Sequence, residues 1–321
     1  FEPVALDERL MNQVRGTRRS VGGVHAMLST IASPCRLRYV FRRMMARVLV
    51  VAGSDSGGGA GIQADVKTVT ALGGYAATAI TALTAQNTLG VEAVLPIEPH
   101  FVGKQMEVVL VDIGCDAIKV GMLGSAATVL VVAATAKRLA ATTPIVLDPV
   151  MVAKGGQSLI DADGRDALRS VLLPMAALVT PNVPEAESLT GIRIASEIDL
   201  GRAAERLLLL GPSAVLVKGG HLPGEVVVDV LRTADGGQYR FESPRIESRS
   251  THGTGCTLSS AVALGIAEGL TLESAVTRAR LYVLEAIRLA PGFGQGHGPL
   301  NHAHPVVALR AQEERGGETL H

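Results

Sequence analysis

Tryptophan is absent from this 321-residue chain, and aromatic residues make up only 3% of it. Any core must therefore be filled mainly by Ala, Val, Leu and Ile. Cysteine is scarce as well. Cys35, Cys115 and Cys256 are odd in number and widely spaced, which argues against a disulfide framework or a zinc site and fits a reducing cytoplasm. Net charge is missing too, with 30 basic and 30 acidic residues, so the whole chain offers no argument for a nucleic-acid or acidic-membrane partner. No apolar run reaches the roughly 18–20 residues of a membrane span without polar interruption. Apolar residues are plentiful at 47%, enough to bury a sizeable core. The 36 glycines exceed the average share of about 7%, and many sit in short runs where apolar segments end.

The length allows one large α/β domain or two small ones. Residues 1–45 hold eight arginines, no lysine and three acids, Glu2, Asp7 and Glu8, without apolar periodicity. Such a leader reads either as a transit peptide or as an overextended start, since Met44 and Met45 sit just before the first strand. Either way it is set apart from the fold, which is expected over residues 46–305 with a tail over 306–321. From residue 46 on, apolar runs alternate with amphipathic stretches. Strands are expected at 47–52 (RVLVVA), 76–85, 117–120, 144–147, 177–179 and 214–217. Helices are expected at 60–72, 125–139, 161–172, 253–268 and 272–289. This alternation predicts an α/β fold of three layers, a mostly parallel sheet covered on both faces. Residues 225–231 and 238–241 flank Asp235-Gly236-Gly237 and predict a hairpin, hence a small antiparallel edge.

Ligands of open α/β sheets bind where strands end and helices begin, and four such ends carry unusual residues. The first is GSDSGGGAGIQAD, residues 53–65. So many glycines let backbone approach a ligand and leave helix N–H groups free for it. Gly59 to Ala64 fits the dinucleotide pattern G-x-G-x-x-A by letters, but the acid that pattern needs at the end of the next strand is missing. The P-loop G-x-x-x-x-G-K-[ST] does not occur. The second is TAQNT, residues 84–88, where Gln86 presents a donor and an acceptor side by side, as an aminopyrimidine edge requires. The third is a set: Asp148 and Val150 in LDPVMVAKGG, Asn182 and Glu185 in TPNVPEA, and Lys218 in KGGH. Acids on adjacent strand ends can hold Mg²⁺, directly or through water, and a lysine there can neutralise phosphate. Taken singly, Asn182 reads equally well as a helix N-cap. The fourth is THGTGCTLS, residues 251–259, opening an apolar helix. Its N–H groups and the helix dipole invite an anion, and Cys256 in the first turn is expected to have a lowered thiol pKa.

Together with KVGML (119–123) and GHGP (296–299), these segments resemble hydroxymethylpyrimidine/phosphomethylpyrimidine kinase of the ribokinase superfamily, in family order from about residue 48 to 302. The resemblance implies a ribokinase-like fold. It also implies ATP- and Mg²⁺-dependent phosphorylation of a small pyrimidine alcohol and then of its monophosphate, in thiamine biosynthesis. It further implies a homodimer. By the same resemblance Gln86 recognises the pyrimidine edge, and Gly53, Asp65, Met122 and Val150 belong to that pocket. Asp148 and Glu185 act around Mg²⁺ and the phosphates, with Asn182 and Thr254 on the ATP side, and Lys218 contacts ATP phosphate. Gly253, Thr254, Gly255 and Cys256 form the anion hole. Cys256 stands where much of the superfamily has an aspartate base, and it is expected to help remove the hydroxyl proton.

Three other functions compete. A pyridoxal or pyridoxine kinase, or a dual enzyme, would use a similar flat ring with a hydroxymethyl group. A dinucleotide-dependent oxidoreductase is opposed by the missing acid. A ligand-binding regulator that had lost the chemistry is opposed by the intact Lys218, Asp148, Glu185 and GTGC turn.

Overall fold

The computed structural model describes residues 45–153 and 155–306. The Arg-rich extension through residue 44, the tail from residue 307 and Lys154 lie outside the described residues. The chain builds β1 (Arg47–Asp55), α1 (Gly61–Ala71), β2 (Tyr75–Gln86), β3 (Val91–Pro96), α2 (Pro99–Asp112), β4 (Ala117–Val120), α3 (Ala126–Leu139) and β5 (Ile145–Leu147). It continues with α4 (Ala162–Ala167), β6 (Leu178–Val179), α5 (Val183–Thr190), α6 (Glu197–Leu208), β7 (Ala214–Lys218), β8 (Val226–Thr233), β9 (Gln238–Pro244), α7 (Thr254–Ala267) and α8 (Leu272–Arg288).

The nine strands form one sheet in the order β3-β2-β1-β4-β5-β6-β7-β8-β9. Pairing is parallel from β2 through β7 and antiparallel for β2–β3, β7–β8 and β8–β9. The apolar run of β1 follows from burial on both faces. Val48, Val50 and Ala52 pack into one core with Val69 of α1, Val262 of α7 and Val276 of α8. Leu49 and Val51 point the other way, into a core with Met106 of α2, Val129 of α3 and Leu200 of α6. The period of two places successive side chains on opposite faces, so a helix layer covers each side.

The expected hairpin is β8–β9. A second antiparallel edge, β3, adds to it on the far side. Its six residues are mostly exposed, which leaves little apolar pattern to read. The single helix expected over residues 161–172 is shorter than its pattern. α4 ends at Ala167 and passes through a π turn, Leu168–Leu172, into a 3₁₀ turn, Leu173–Met175. Pro174 has no N–H to continue a regular helix.

From β1 the chain leaves through α1 to β2 on one side, then returns through β3 and α2 to β4 on the other. The strand order reverses beside β1, and the carboxyl ends there frame the crevice in which such sheets take ligands.

Candidate active site

A cavity of about 990 Å³ runs along those carboxyl ends. Its lining follows the sheet order. Gln86 closes β2, Gly53 lies near the end of β1, Met122 follows β4, and Asp148 and Val150 follow β5. Asn182 and Glu185 follow β6, and Lys218 closes β7. Gly253 to Cys256, where α7 begins, face the same space. Asp65 is the exception among the residues singled out in the sequence. It is fully buried on α1, where both carboxylate oxygens take 2.9 Å hydrogen bonds from Lys119 Nζ and one takes a 2.6 Å bond from Ser260 Oγ. It reaches the cavity only through Lys119, which does line it. Its carboxylate thus lies behind Lys119, at the wall of the cavity.

α7 starts in a way only glycine permits. Its N-cap, Gly253, has φ +80° and no side-chain cap, and a Cβ there would overlap the Gly59 carbonyl. Because no side chain caps them, the first N–H groups of α7 stay available to an anion. A Cβ on Gly255 would lie 3.1 Å from Lys218 Nζ and 3.5 Å from Asp148 Oδ2, so its absence lets that ion pair sit directly beneath the turn. Lys218 Nζ donates to Asp148 Oδ1 at 2.8 Å, and Thr180 donates to the same oxygen at 3.2 Å. Burial would push both groups towards neutrality. The mutual attraction outweighs it, holding Asp148 below the usual carboxylate range and Lys218 above the usual ammonium range.

Asn182 is the N-cap of α5. Its Oδ1 accepts from Glu185 N at 2.9 Å, and Glu185 Oε2 accepts from Asn182 N at 2.8 Å, a reciprocal capping box. Both of these side chains thus have a structural duty besides lining the cavity. Among the described residues, Glu185 has no cation of its own within hydrogen-bonding distance. Burial, with Asp148 adding repulsion and Lys218 only partly offsetting it, pushes its carboxyl up to about 7.

The thiolate expected at Cys256 is not favoured. Burial, with the negative charges of Asp65 and Asp148, pushes the thiol up to about 12 against the opposing pull of Lys119 and the Gly61 amide. The helix dipole acts here, but desolvation of a charged sulfur beside two carboxylates outweighs it.

Two residues at this end escape sequence reasoning. The buried Asp55 carboxylate takes hydrogen bonds from the Gly57, Gly59 and Ala60 amides at 2.8, 3.0 and 2.8 Å and lies 2.9 Å from His252 Nε2. Burial pushes its pKa up, and the His252 and backbone hydrogen bonds more than reverse this. His252 in turn lies 3.3 Å from the Gln86 amide. In the sequence Asp55 looks like a turn former, and His252 is one letter of a glycine motif. Only their separation of 197 positions, closed by the fold, makes them a pair.

The pyridoxal kinase of Staphylococcus aureus, solved in complex with AMP-PCP and pyridoxal, superposes with a TM-score of 0.74 at 32% identity, covering 81% of this chain and 94% of that one. With the sheet order and the glycine turn at α7, this makes the chain a ribokinase-like kinase. The family model for phosphomethylpyrimidine kinase matches residues 55–301. The chain belongs to that family of phosphotransferases. A hydroxymethylpyrimidine/phosphomethylpyrimidine kinase of Rhizobium meliloti is 47% identical over 264 residues, 81% of this chain and 98% of that protein. The thiamine biosynthesis bifunctional protein ThiED of Geobacter sulfurreducens is 53% identical over 256 residues. These are 79% of this chain but 52% of that protein, so the chain spans about half that relative's length.

Proposed function

We propose that this chain transfers the γ-phosphoryl group of ATP to the hydroxymethyl group of 4-amino-5-hydroxymethyl-2-methylpyrimidine, and then phosphorylates the monophosphate, in thiamine biosynthesis. One observation carries the reading: Gln86, with a donor and an acceptor side by side, lines the same cavity as Lys218 and the uncapped start of α7. Ring recognition and phosphate stabilisation are thereby within one ligand's reach.

In this reading the Gln86 amide pairs with the ring edge, while Gly53, Met122 and Val150 supply the flat walls. The amides of Gly253 to Cys256 and the Lys218 ammonium neutralise charge on the phosphoryl oxygens, which is most of what phosphoryl transfer asks of a protein. Thr254 donates its hydroxyl to the Thr251 carbonyl at 2.8 Å, so it braces the turn and contributes through its backbone. Lys119 holds Asp65 behind the pocket wall. Cys256 is a neutral thiol in the free enzyme; in a loose transition state the hydroxyl proton leaves late, and a resting thiolate is not required.

Asp148 and Glu185 fit a Mg²⁺ site. Burial, with repulsion from Asp148 adding to it, pushes Glu185 up to about 7, and Mg²⁺ typically takes one or two carboxylates with waters and substrate phosphates. The ion would supply further neutralisation of the phosphates. Asn182 and Glu185 would meet ATP on the α5 side.

The likeness to a pyridoxal kinase favours a second reading, in which pyridoxal is also a substrate. A homodimer fits the apolar surface left by Leu83, Leu95 and Phe101 near the β3 edge. A cytoplasmic setting fits the free thiols of Cys115 and Cys256. No helix among the described residues is long and apolar enough to cross a membrane. The deciding experiment measures ATP consumption with the hydroxymethylpyrimidine, its monophosphate and pyridoxal. Turnover of the first two with higher kcat/KM than pyridoxal is expected. No turnover of either pyrimidine would overturn the reading.

A further inference from the structure

Gln86 has Nε2 at 3.3 Å from His252 Nε2 and Oε1 at 3.1 Å from Thr84 Oγ1. The two ends of an amide are told apart by their partners, and here the partners can be counted. His252 Nε2 lies 2.9 Å from Asp55 Oδ2, an oxygen of a carboxylate that can only accept. That nitrogen therefore carries a hydrogen, whether the ring is neutral or charged. It has no lone pair for a Gln86 N–H, and two N–H groups would face each other. On the other side, Thr84 Oγ1 lies 2.9 Å from the Ser54 carbonyl and 3.1 Å from Gln86 Oε1. Its one hydrogen is divided between two acceptors. Exchanging the ends of the amide removes the facing N–H groups and frees the Thr84 hydrogen. Oε1 then shares the His252 hydrogen with Asp55 Oδ2, the nearer acceptor, and Nε2 donates to Thr84, whose hydrogen goes to Ser54.

We infer that His252, held by Asp55, is a specificity-determining positioning residue that locks the Gln86 amide with its oxygen on the His252 side and its nitrogen on the Thr84 side. The inference rests on the pyrimidine reading above. Thr84 cannot set this order, because its hydroxyl rotates and donates or accepts as needed. His252 can, because its ring is fixed. Its backbone N–H donates to the Gly298 carbonyl at 3.1 Å, it bridges to Pro299, and its Cδ2 would lie 2.5 Å from a Cβ on Gly59. The GHGP segment thus finds a use as the rail that holds His252. The free lone pair of Oε1 and the free hydrogen of Nε2 then meet the ring in a fixed order. An amino group beside a bare ring nitrogen matches it. A carbonyl beside a protonated ring nitrogen, as in the 4-oxo analogue, presents the opposite order. Pyridoxal offers a ring hydroxyl that can turn either way, so it is less affected.

The test compares kcat/KM for the 4-amino substrate and its 4-oxo analogue. The wild type is expected to prefer the amino compound by about 100-fold or more, as sites built on paired polar groups do. In His252→Leu the amide is free to turn, and the preference should fall to within about 10-fold, with the KM for ATP unchanged and pyridoxal affected less. His252→Gln, whose amide N–H reaches about as far as Nε2, should restore much of it. An undiminished preference in His252→Leu, or no preference in the wild type, overturns the inference and leaves the kinase reading standing. Failure of the wild type to phosphorylate either pyrimidine overturns that reading and, with it, this one. NMR of the wild type gives a check free of folding effects. Nuclear Overhauser contacts from the Gln86 amide hydrogens to the Thr84 methyl support the assignment, and contacts to the His252 ring hydrogens instead overturn it.

Discussion

Lys119→Met tests the pairing that holds α1, β4 and α7 together behind the site. Lys119 and Asp65 have no exposed side-chain surface, and the ammonium contacts both carboxylate oxygens at 2.9 Å. Burial would push Lys119 down; Asp65, with Cys256 and Asp148 near, raises it instead. After Lys119→Met, Asp65 keeps only Ser260 as a partner. Breaking one side of a buried pair costs about 3–5 kcal/mol. At roughly 2–4 °C per kcal/mol for a domain of this size, Tm should fall by about 6–20 °C in a calorimetric scan. The pH dependence has a defined sign. Burial already raises Asp65 in the folded protein against the pull of Lys119, and without Lys119 its folded pKa rises further above the unfolded value of about 3.9, so the folded state binds the extra proton. Stability is then greatest at low pH and falls as pH rises, so the deficit should be larger at pH 8 than at pH 5. Adding Asp65→Asn removes the stranded charge and should recover much of the loss. A single variant within about 2 °C of wild type, or a double variant worse than the single, would refute the argument.

The remaining predictions concern the cavity and the extension. Gln86→Leu should raise KM for the pyrimidine about 5- to 150-fold, the equivalent of roughly 1–3 kcal/mol for a lost buried pairing, with KM for ATP little changed; equal effects on both would show that Gln86 only braces its loop. Cys256→Ala should keep kcat within about 10-fold, since a thiol at about 12 is no resting base. A loss of about 10²–10⁴-fold that Cys256→Asp restores would reinstate it as the base. Between the unfolded value of 4.5 and about 7, Glu185 holds a proton in the folded protein that the unfolded chain releases. Its contribution therefore falls as pH rises through that window, and Glu185→Gln should flatten that part of the stability profile in urea titrations. A chain starting at Met45 should fold and turn over normally, and loss of either would show that the first 44 residues contribute.

How much of this was legible depends on the range of the interaction that decides each feature. The strands announce themselves because burial on both faces needs the same unbroken apolar run, as in β1. The glycine loops are legible because only glycine tolerates the backbone of Gly253 or the close quarters beneath Gly255. β3 was not, since an exposed edge carries no pattern. The burial of Asp65 was not legible because its partner Lys119 is 54 positions away, and nothing in GIQAD signals that the carboxylate faces inward. The pKa of Cys256 followed the wrong local rule. Position at a helix start is readable from sequence, whereas the desolvation that overrides it belongs to the packed environment.

The charges around the cavity share one logic. Lys218 faces Asp148, Lys119 faces Asp65 and His252 faces Asp55, so each of these basic groups meets a carboxylate before any ligand arrives. Such pairing costs less than leaving buried charges unmatched, and it keeps the side chains in place for binding. It also means that these three cations cannot, by themselves, neutralise several phosphate charges. What is left over is Glu185, a carboxyl pushed up by its surroundings in the very place where more negative charge is to come. The amides at the start of α7 offer fixed partial positive charge without a counter-ion. A divalent cation accompanying the nucleotide would offset both the phosphates and Glu185.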